Sequence, residues 1–147
     1  MTKSNKAVFY GLILVITGLI VAIVYLSVSS QPGDKFTEFY LLGQDGKTSG
    51  YPKEIAAGQP AVVTAGIINH EGAPVAYTIQ IKANGDIINS IETGTLLNDQ
   101  KWEHRVDFNI NNAGDNQKIE FYLYMNKEAV PHIKAPLVLV MNVITPK

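Results

Sequence analysis

The hydrophobic pattern of this chain changes character once. From Ala7 to Val28 run 22 residues without a charge, almost all of them apolar. An α-helix of that length is roughly 33 Å long at 1.5 Å per residue, enough to cross the hydrocarbon core of a bilayer. Beyond it the chain alternates. Val75, Tyr77, Ile79, Ile81 and Ala83 interleave with Ala76, Thr78, Gln80 and Lys82, and Trp102, His104, Val106, Phe108 and Ile110 interleave with Lys101, Glu103, Arg105, Asp107 and Asn109. Ile119, Phe121, Leu123 and Met125 make a third series. A period of two puts each series on one face of a strand, with a core on one side and water on the other.

Further strands are expected at Phe36–Leu42, Ala61–Asn69, Ile87–Glu92 and Ala135–Ile144. Asn84-Gly85-Asp86 separates two of these runs, and Asn-Gly signals a tight hairpin because both residues tolerate positive φ. About seven short strands set apart by turn residues predict an all-β immunoglobulin-like sandwich, preceded by one N-terminal transmembrane α-helix. The expected division is a cytoplasmic tip and anchor helix over 1–28, a linker over 29–35, and an extracytoplasmic β-sandwich domain over 36–147.

The apolar run exceeds the length of a signal-peptide core, although Ser27-Val28-Ser29 offers a weak cleavage-like sequence; length favours retention as an anchor. Lys3 and Lys6 precede it, while Asp34 and Lys35 cancel after it, which orients the N-terminus inside and the domain outside. Phe9 and Tyr10 near one end and Tyr25 near the other suit the two interfacial belts. Ala7, Gly11, Gly18 and Ala22 recur at spacings of four and seven, a small-residue stripe against which another membrane helix can pack. The linker Ser29-Ser30-Gln31-Pro32-Gly33-Asp34 reaches only about 20 Å when fully extended, so the domain is expected to work at the membrane surface.

Charge and composition narrow the classes. Residues 31–147 hold ten Lys or Arg against thirteen Asp or Glu, a net charge of −3. Nucleic-acid binding, which relies on a basic face, is therefore not expected. Nor does a basic cluster for anionic lipid follow the helix. The absence of cysteine excludes thiol nucleophiles and thiolate metal centres.

Phe36-Thr37-Glu38-Phe39-Tyr40-Leu41-Leu42-Gly43, followed by Gly46-Lys47 and Tyr51-Pro52, forms the first of three ordered blocks. The second is Gly66-Ile67-Ile68-Asn69-His70-Glu71, and the third Asn116-Gln117-Lys118-Ile119-Glu120-Phe121-Tyr122-Leu123-Tyr124, with Trp102-Glu103 between them. Together they resemble the C-terminal domain of an uncharacterised family of archaeal and bacterial membrane proteins, classed only as a domain of unknown function. The resemblance implies an exported, immunoglobulin-like domain and supplies no activity. Members of that family usually carry several membrane helices before the domain, so the resemblance reads this chain as a stand-alone form of the exported module.

His70, His104 and His132, with Met125 and Met141, stand at no close ligand spacing, and no metal or cofactor is expected. Asn69-His70-Glu71 sits where a strand meets a turn; it either points an imidazole and a carboxylate at a ligand or, the favoured reading, satisfies loose backbone groups there. Asp115 and Asn116 lack calcium-ligand spacing, and Asn111–Gln117 reads as a hairpin loop. No serine or threonine stands in a nucleophile motif, so the chain is expected not to be an enzyme.

Strand parity yields the strongest candidate surface. With Phe121 and Leu123 inward, Tyr122 and Tyr124 face outward. Leu137–Val143 is apolar on both faces, and the last two strands of such a sandwich are neighbours. Tyr122, Tyr124, Val138 and Val140 are thus expected to form a partner-binding patch. The leading expectation is a non-enzymatic, single-pass binding module on the extracytoplasmic side of the cell membrane, an accessory or assembly subunit of a larger membrane complex. The alternatives are a glycan or peptide ligand module using loops Gly43–Pro60 and Asn126–Pro136 around Tyr51, and a pilin-like filament subunit.

Overall fold

The computed structural model describes residues 3–28 and 33–146. Most of the expected linker (29–32), and Ser29 of the cleavage-like triplet, lie outside the described residues. The chain forms two units, Met1–Asp34 and Lys35–Lys147.

The first unit is helix α1, Lys3–Val28. Asn5–Ser27 is long and apolar enough to cross a membrane. Every side chain from Asn5 to Ser27 is exposed, as suits a helix whose partner is lipid or another helix. Two of its hydroxyls are turned back on the helix: Thr17 Oγ1 donates to the Ile13 carbonyl and Ser27 Oγ to the Ile23 carbonyl, both at 2.8 Å. That geometry pairs the Thr17 and Ser27 hydroxyl hydrogens within the helix, where hydrocarbon offers no partner.

The second unit is a sandwich of eight strands: β1 (Phe36–Leu42), β2 (Glu54–Ala56), β3 (Pro60–His70), β4 (Val75–Ala83), β5 (Asp86–Leu96), β6 (Lys101–Asn109), β7 (Gly114–Met125) and β8 (Leu137–Ile144). One sheet has the order β1-β3-β6, the other β2-β8-β7-β4-β5. All pairings are antiparallel except β2 with β8. The two inner faces meet in a core that includes Val63, Ile67, Ile79, Ile81, Phe108, Ile119, Phe121 and Leu123, all at most 2% exposed. Phe108 of one sheet meets Phe121 of the other edge-on, with ring centroids 5.7 Å apart. This is the favoured geometry for two quadrupolar rings.

The hairpin signal at Asn84-Gly85 is realised in full. Asn84 has φ +53° and Gly85 φ +91°, and Ala83 pairs with Asp86 across a two-residue turn. Two local expectations are corrected. The Gly43–Pro60 segment is not all loop, because Glu54–Ala56 joins β8 in parallel; three residues are too short to show alternation, and neighbouring β8 recruits them. Asn111–Gln117 is not a hairpin loop either. The chain there passes from β6 in one sheet to β7 in the other, and β7 already begins at Gly114. Gln117, 7% exposed, anchors this crossing by donating from Nε2 to the Asn112 carbonyl at 2.6 Å.

Candidate functional site

β7 positions the tyrosines. Phe121 and Leu123 are locked in the core, so Tyr122 and Tyr124 stand on the outer face, half-buried, opposite Gln80 and Thr78 of β4. Val138 and Val140 of β8 lie on the same face, 52% and 49% exposed. The register sets Val138 opposite Glu120 and Val140 opposite Lys118, which makes Tyr122 a diagonal neighbour of Val138. Lys82 Nζ rests 4.6 Å from the Tyr122 ring centre. The four expected residues thus share one surface, an aromatic and aliphatic line with Lys118, Glu120 and Lys82 interleaved.

Beside this face, Phe39, Tyr40, Leu41, Tyr51, Leu137, Val138 and Leu139 line a groove of about 320 Å³ between β1 and β8. Tyr51 is half-buried and its hydroxyl donates to the Leu41 carbonyl at 2.9 Å, which ties the segment before β2 to β1.

Asn69-His70-Glu71 divides its work by parity. Asn69 is fully buried; its Nδ2 donates to the Ala73 and Leu96 carbonyls (2.8 and 2.9 Å), and its Oδ1 accepts from the Glu71 N–H at 2.9 Å. It therefore ties the end of β3 to the following turn and to β5. His70 points to the other face, with Nδ1 2.7 Å from Asp99 Oδ1, Nε2 3.0 Å from Glu38 Oε1, and its ring stacked on Phe36. The Asp99 hydrogen bond raises the His70 pKa against an opposing desolvation, and the weaker bond to Glu38 adds to the rise. Glu71 turns inward again. Its Oε1 accepts from Thr37 Oγ1 at 2.6 Å and lies 2.9 Å from His132 Nε2, while Thr37 Oγ1 is 2.8 Å from the Tyr77 hydroxyl. Burial raises the Tyr77 pKa, which keeps the phenol neutral.

This Thr37–Glu71–Tyr77–His132 cluster escaped sequence reading because its members come from four separate segments; the only available signal was a carboxylate and an imidazole in otherwise turn-like loops. His104 shares the inward parity of β6 yet is exposed, packed against Trp102 with ring centroids 4.8 Å apart. Among the described residues no three His, Cys, Asp or Glu side chains are placed to hold a metal. In α1, Ala7, Gly11, Gly18 and Ala22 fall within a sector of about 60° at 3.6 residues per turn, with open space at Gly11 and Gly18.

Comparison with known proteins adds a family and a fold. The family model described as a domain of unknown function, DUF1616, matches residues 30–140. No curated protein matches the chain. Among solved structures, the crystal structure of the CARDB domain of a Pyrococcus furiosus protein, in complex with di-metal ions, is similar with a TM-score of 0.53 and 12% identity, over 75% of this chain and 89% of that one. The solution structure of the same domain gives a TM-score of 0.51 and 11% identity, over 76% and 99%. At such identities the likeness concerns the sandwich fold alone.

Proposed function

The chain belongs to the DUF1616 family, and from that footing we propose that it is a non-enzymatic binding module, anchored by α1 as a single pass with its N-terminus inside, whose extracytoplasmic sandwich docks a membrane-protein partner. The sheet order β8-β7-β4 carries the reading, because it sets the half-exposed Val138 and Val140 beside Tyr122 and Tyr124 on one outward face. Aromatic rings backed by a rigid sheet lose little conformational entropy on contact, and the interleaved Lys82, Lys118 and Glu120 provide a polar means of partner discrimination. The stripe Ala7, Gly11, Gly18 and Ala22 gives the anchor a second contact with the same partner, by close helix approach in the bilayer. The module is thus an accessory or assembly subunit of a larger membrane complex.

Purification of the full chain in gentle detergent, with mass spectrometry of everything that co-migrates, tests this. Stoichiometric recovery with other membrane subunits, lost on Tyr122→Ala combined with Val138→Ser, is expected. Recovery of the chain by itself, as monomer or homo-oligomer, would overturn the accessory role.

A further inference from the structure

The loops at one end of the sandwich display its two most exposed apolar side chains. β1 begins at Phe36, opposite His70, the last residue of β3. The 71–74 turn leads into β4, whose Val75 pairs with Leu96 at the end of β5, so Leu97 lies at this same end. β7 finishes at Met125, opposite Tyr77 of β4, and the 126–136 loop returns from there to β8. Leu97 is 60% exposed and Val130 70%, more than any other large apolar side chain among the described residues of the sandwich.

Both loops are braced. The Leu97–Gln100 turn closes on itself: the Gln100 N–H donates to the Leu97 carbonyl at 3.0 Å and the Leu97 N–H to Gln100 Oε1 at 2.8 Å. The Gly72 N–H, donating to Asn98 Oδ1 at 2.8 Å, ties that turn to its neighbour. Asn126 pins one side of the 126–136 loop, its N–H donating to the Ala76 carbonyl at 2.8 Å and its Oδ1 accepting from the Ala76 N–H at 3.1 Å. His132 pins the other, with Nε2 2.9 Å from Glu71 Oε1 and its N–H donating to the Leu123 carbonyl at 2.8 Å. The Thr37–Glu71–Tyr77–His132 cluster thereby fixes the loop that carries Val130.

The chain enters the sandwich at this end. Val28 closes α1 and Phe36 opens β1, and at eight residues' separation a fully extended chain covers about 27 Å. β3, with 11 residues, runs about 33 Å between the two ends of the sandwich. With α1 in a bilayer the sandwich therefore cannot stand on its far end, where the Asn84-Gly85 turn and the 110–113 crossing lie, because the tether is too short to let Phe36 rise so far.

The geometry points to the lipid surface as what covers this end, with Leu97 and Val130 dipping into the boundary between headgroups and acyl chains. The contact requires that α1 span the same membrane, as in the function proposed above. Two side chains would not hold a free domain on a bilayer. A short tether presents them at an effective concentration on the order of millimolar, where a weak contact is enough to orient the domain. Lys127 and Lys134 around Val130 are set against Glu128 and, beside Leu97, Asp99. No basic cluster draws in anionic lipid, so apolar burial makes the contact. The strands then run along the membrane normal, and the Tyr122–Val138 face looks sideways, toward neighbours in the membrane.

The chain contains no cysteine, so single introduced cysteines carrying a fluorophore report depth. The full chain is reconstituted in phosphatidylcholine vesicles and quenched by lipid with a nitroxide on its acyl chain. Leu97→Cys and Val130→Cys are expected to be quenched at least about threefold more than Asn112→Cys at the far end or Val140→Cys on the sheet face. Leu97→Asp, which sets a charge where burial is required, should lower the quenching at Val130→Cys at least about twofold. Val15→Cys, within α1, reports the anchor itself. Quenching at Val15→Cys with Leu97→Cys and Val130→Cys no stronger than Asn112→Cys would overturn the contact and leave the anchor standing. Strongest sandwich quenching at Val140→Cys would lay the domain on its sheet face and overturn it too. Quenching at Val130→Cys that ignores Leu97→Asp would assign the insertion to the fluorophore. No quenching at Val15→Cys removes the anchor and the contact together. If Leu97→Asp fails to fold, the ratio among the cysteine positions still decides.

Discussion

Tyr40 lies flat across Gly66. Tyr40 of β1 and Gly66 of β3 are direct register partners, and a Cβ built on Gly66 would run into Cζ and Cε2 of the Tyr40 ring. The missing side chain lets the ring cross β3 and donate its hydroxyl to Glu103 Oε2 of β6 at 2.6 Å, so that one residue straps three strands. Lys101 Nζ completes the group, 2.6 Å from the same carboxylate oxygen; it holds the Glu103 pKa down, with the Tyr40 hydroxyl adding to the effect.

Gly66→Ala should therefore destabilise the sandwich by about 1–3 kcal/mol through overpacking. In a Tyr40→Ala background the same substitution should cost almost nothing, since the colliding ring is gone. Thermal unfolding of the four variants, followed by circular dichroism, forms the double-mutant cycle; equal costs in both backgrounds would refute the strap.

Asn69→Ala should be more damaging than its single position implies. It leaves the buried Leu96 carbonyl, the Ala73 carbonyl and the Glu71 N–H without their partner, a loss of about 3 kcal/mol. The melting temperature should fall accordingly, and Asn69→Asp should not rescue it, because a carboxylate cannot donate to the Ala73 and Leu96 carbonyls.

His70 sets a pH dependence with a defined sign. Its folded pKa lies above the ordinary imidazole value, because the hydrogen bond to Asp99, joined by that to Glu38, favours the protonated ring. Its contribution is complete below the unfolded pKa near 6.5 and is lost as pH rises through the higher folded value. Stability should thus decline as pH rises past about 6.5 and through the higher folded value, and His70→Gln should flatten that part of the profile. A slope unchanged in the variant would assign the effect elsewhere.

Gly11→Ile and Gly18→Ile test the anchor. Nothing lies within 4 Å of a Cβ at either position, so the helix itself should tolerate the change. Association with a partner helix in the bilayer should weaken, as read by loss of energy transfer between labelled chains or of the co-purifying subunits. Undiminished association would remove the stripe from the interface.

Gly85→Ala should slow or destabilise the β4–β5 hairpin by about 1 kcal/mol, because φ at Gly85 is +91° and an alanine is strained there. Amide exchange in Asp86–Leu96 should rise before the rest of the sandwich is affected.

Local patterns determined much of this protein. The span of α1, the limits of β1 and β4, and the two-residue turn at Asn84-Gly85 follow from hydropathy length, period-two alternation and residues that tolerate positive φ, all of which are set within a few neighbours in the chain. The outward placement of Tyr122, Tyr124, Val138 and Val140 follows from the same parity once β7 and β8 are neighbours. Other features depend on which strands meet. β2 exists because β8 offers it an edge, and Ile110–Ala113 crosses between the sheets because β6 and β7 lie in different ones. Glu71 meets His132 and Thr37, and Tyr40 meets Gly66 and Glu103, only through long-range register. Such contacts carry no short-range signal. Their energy appears only when distant segments have been brought together by burial of the core, so tertiary structure alone decided them.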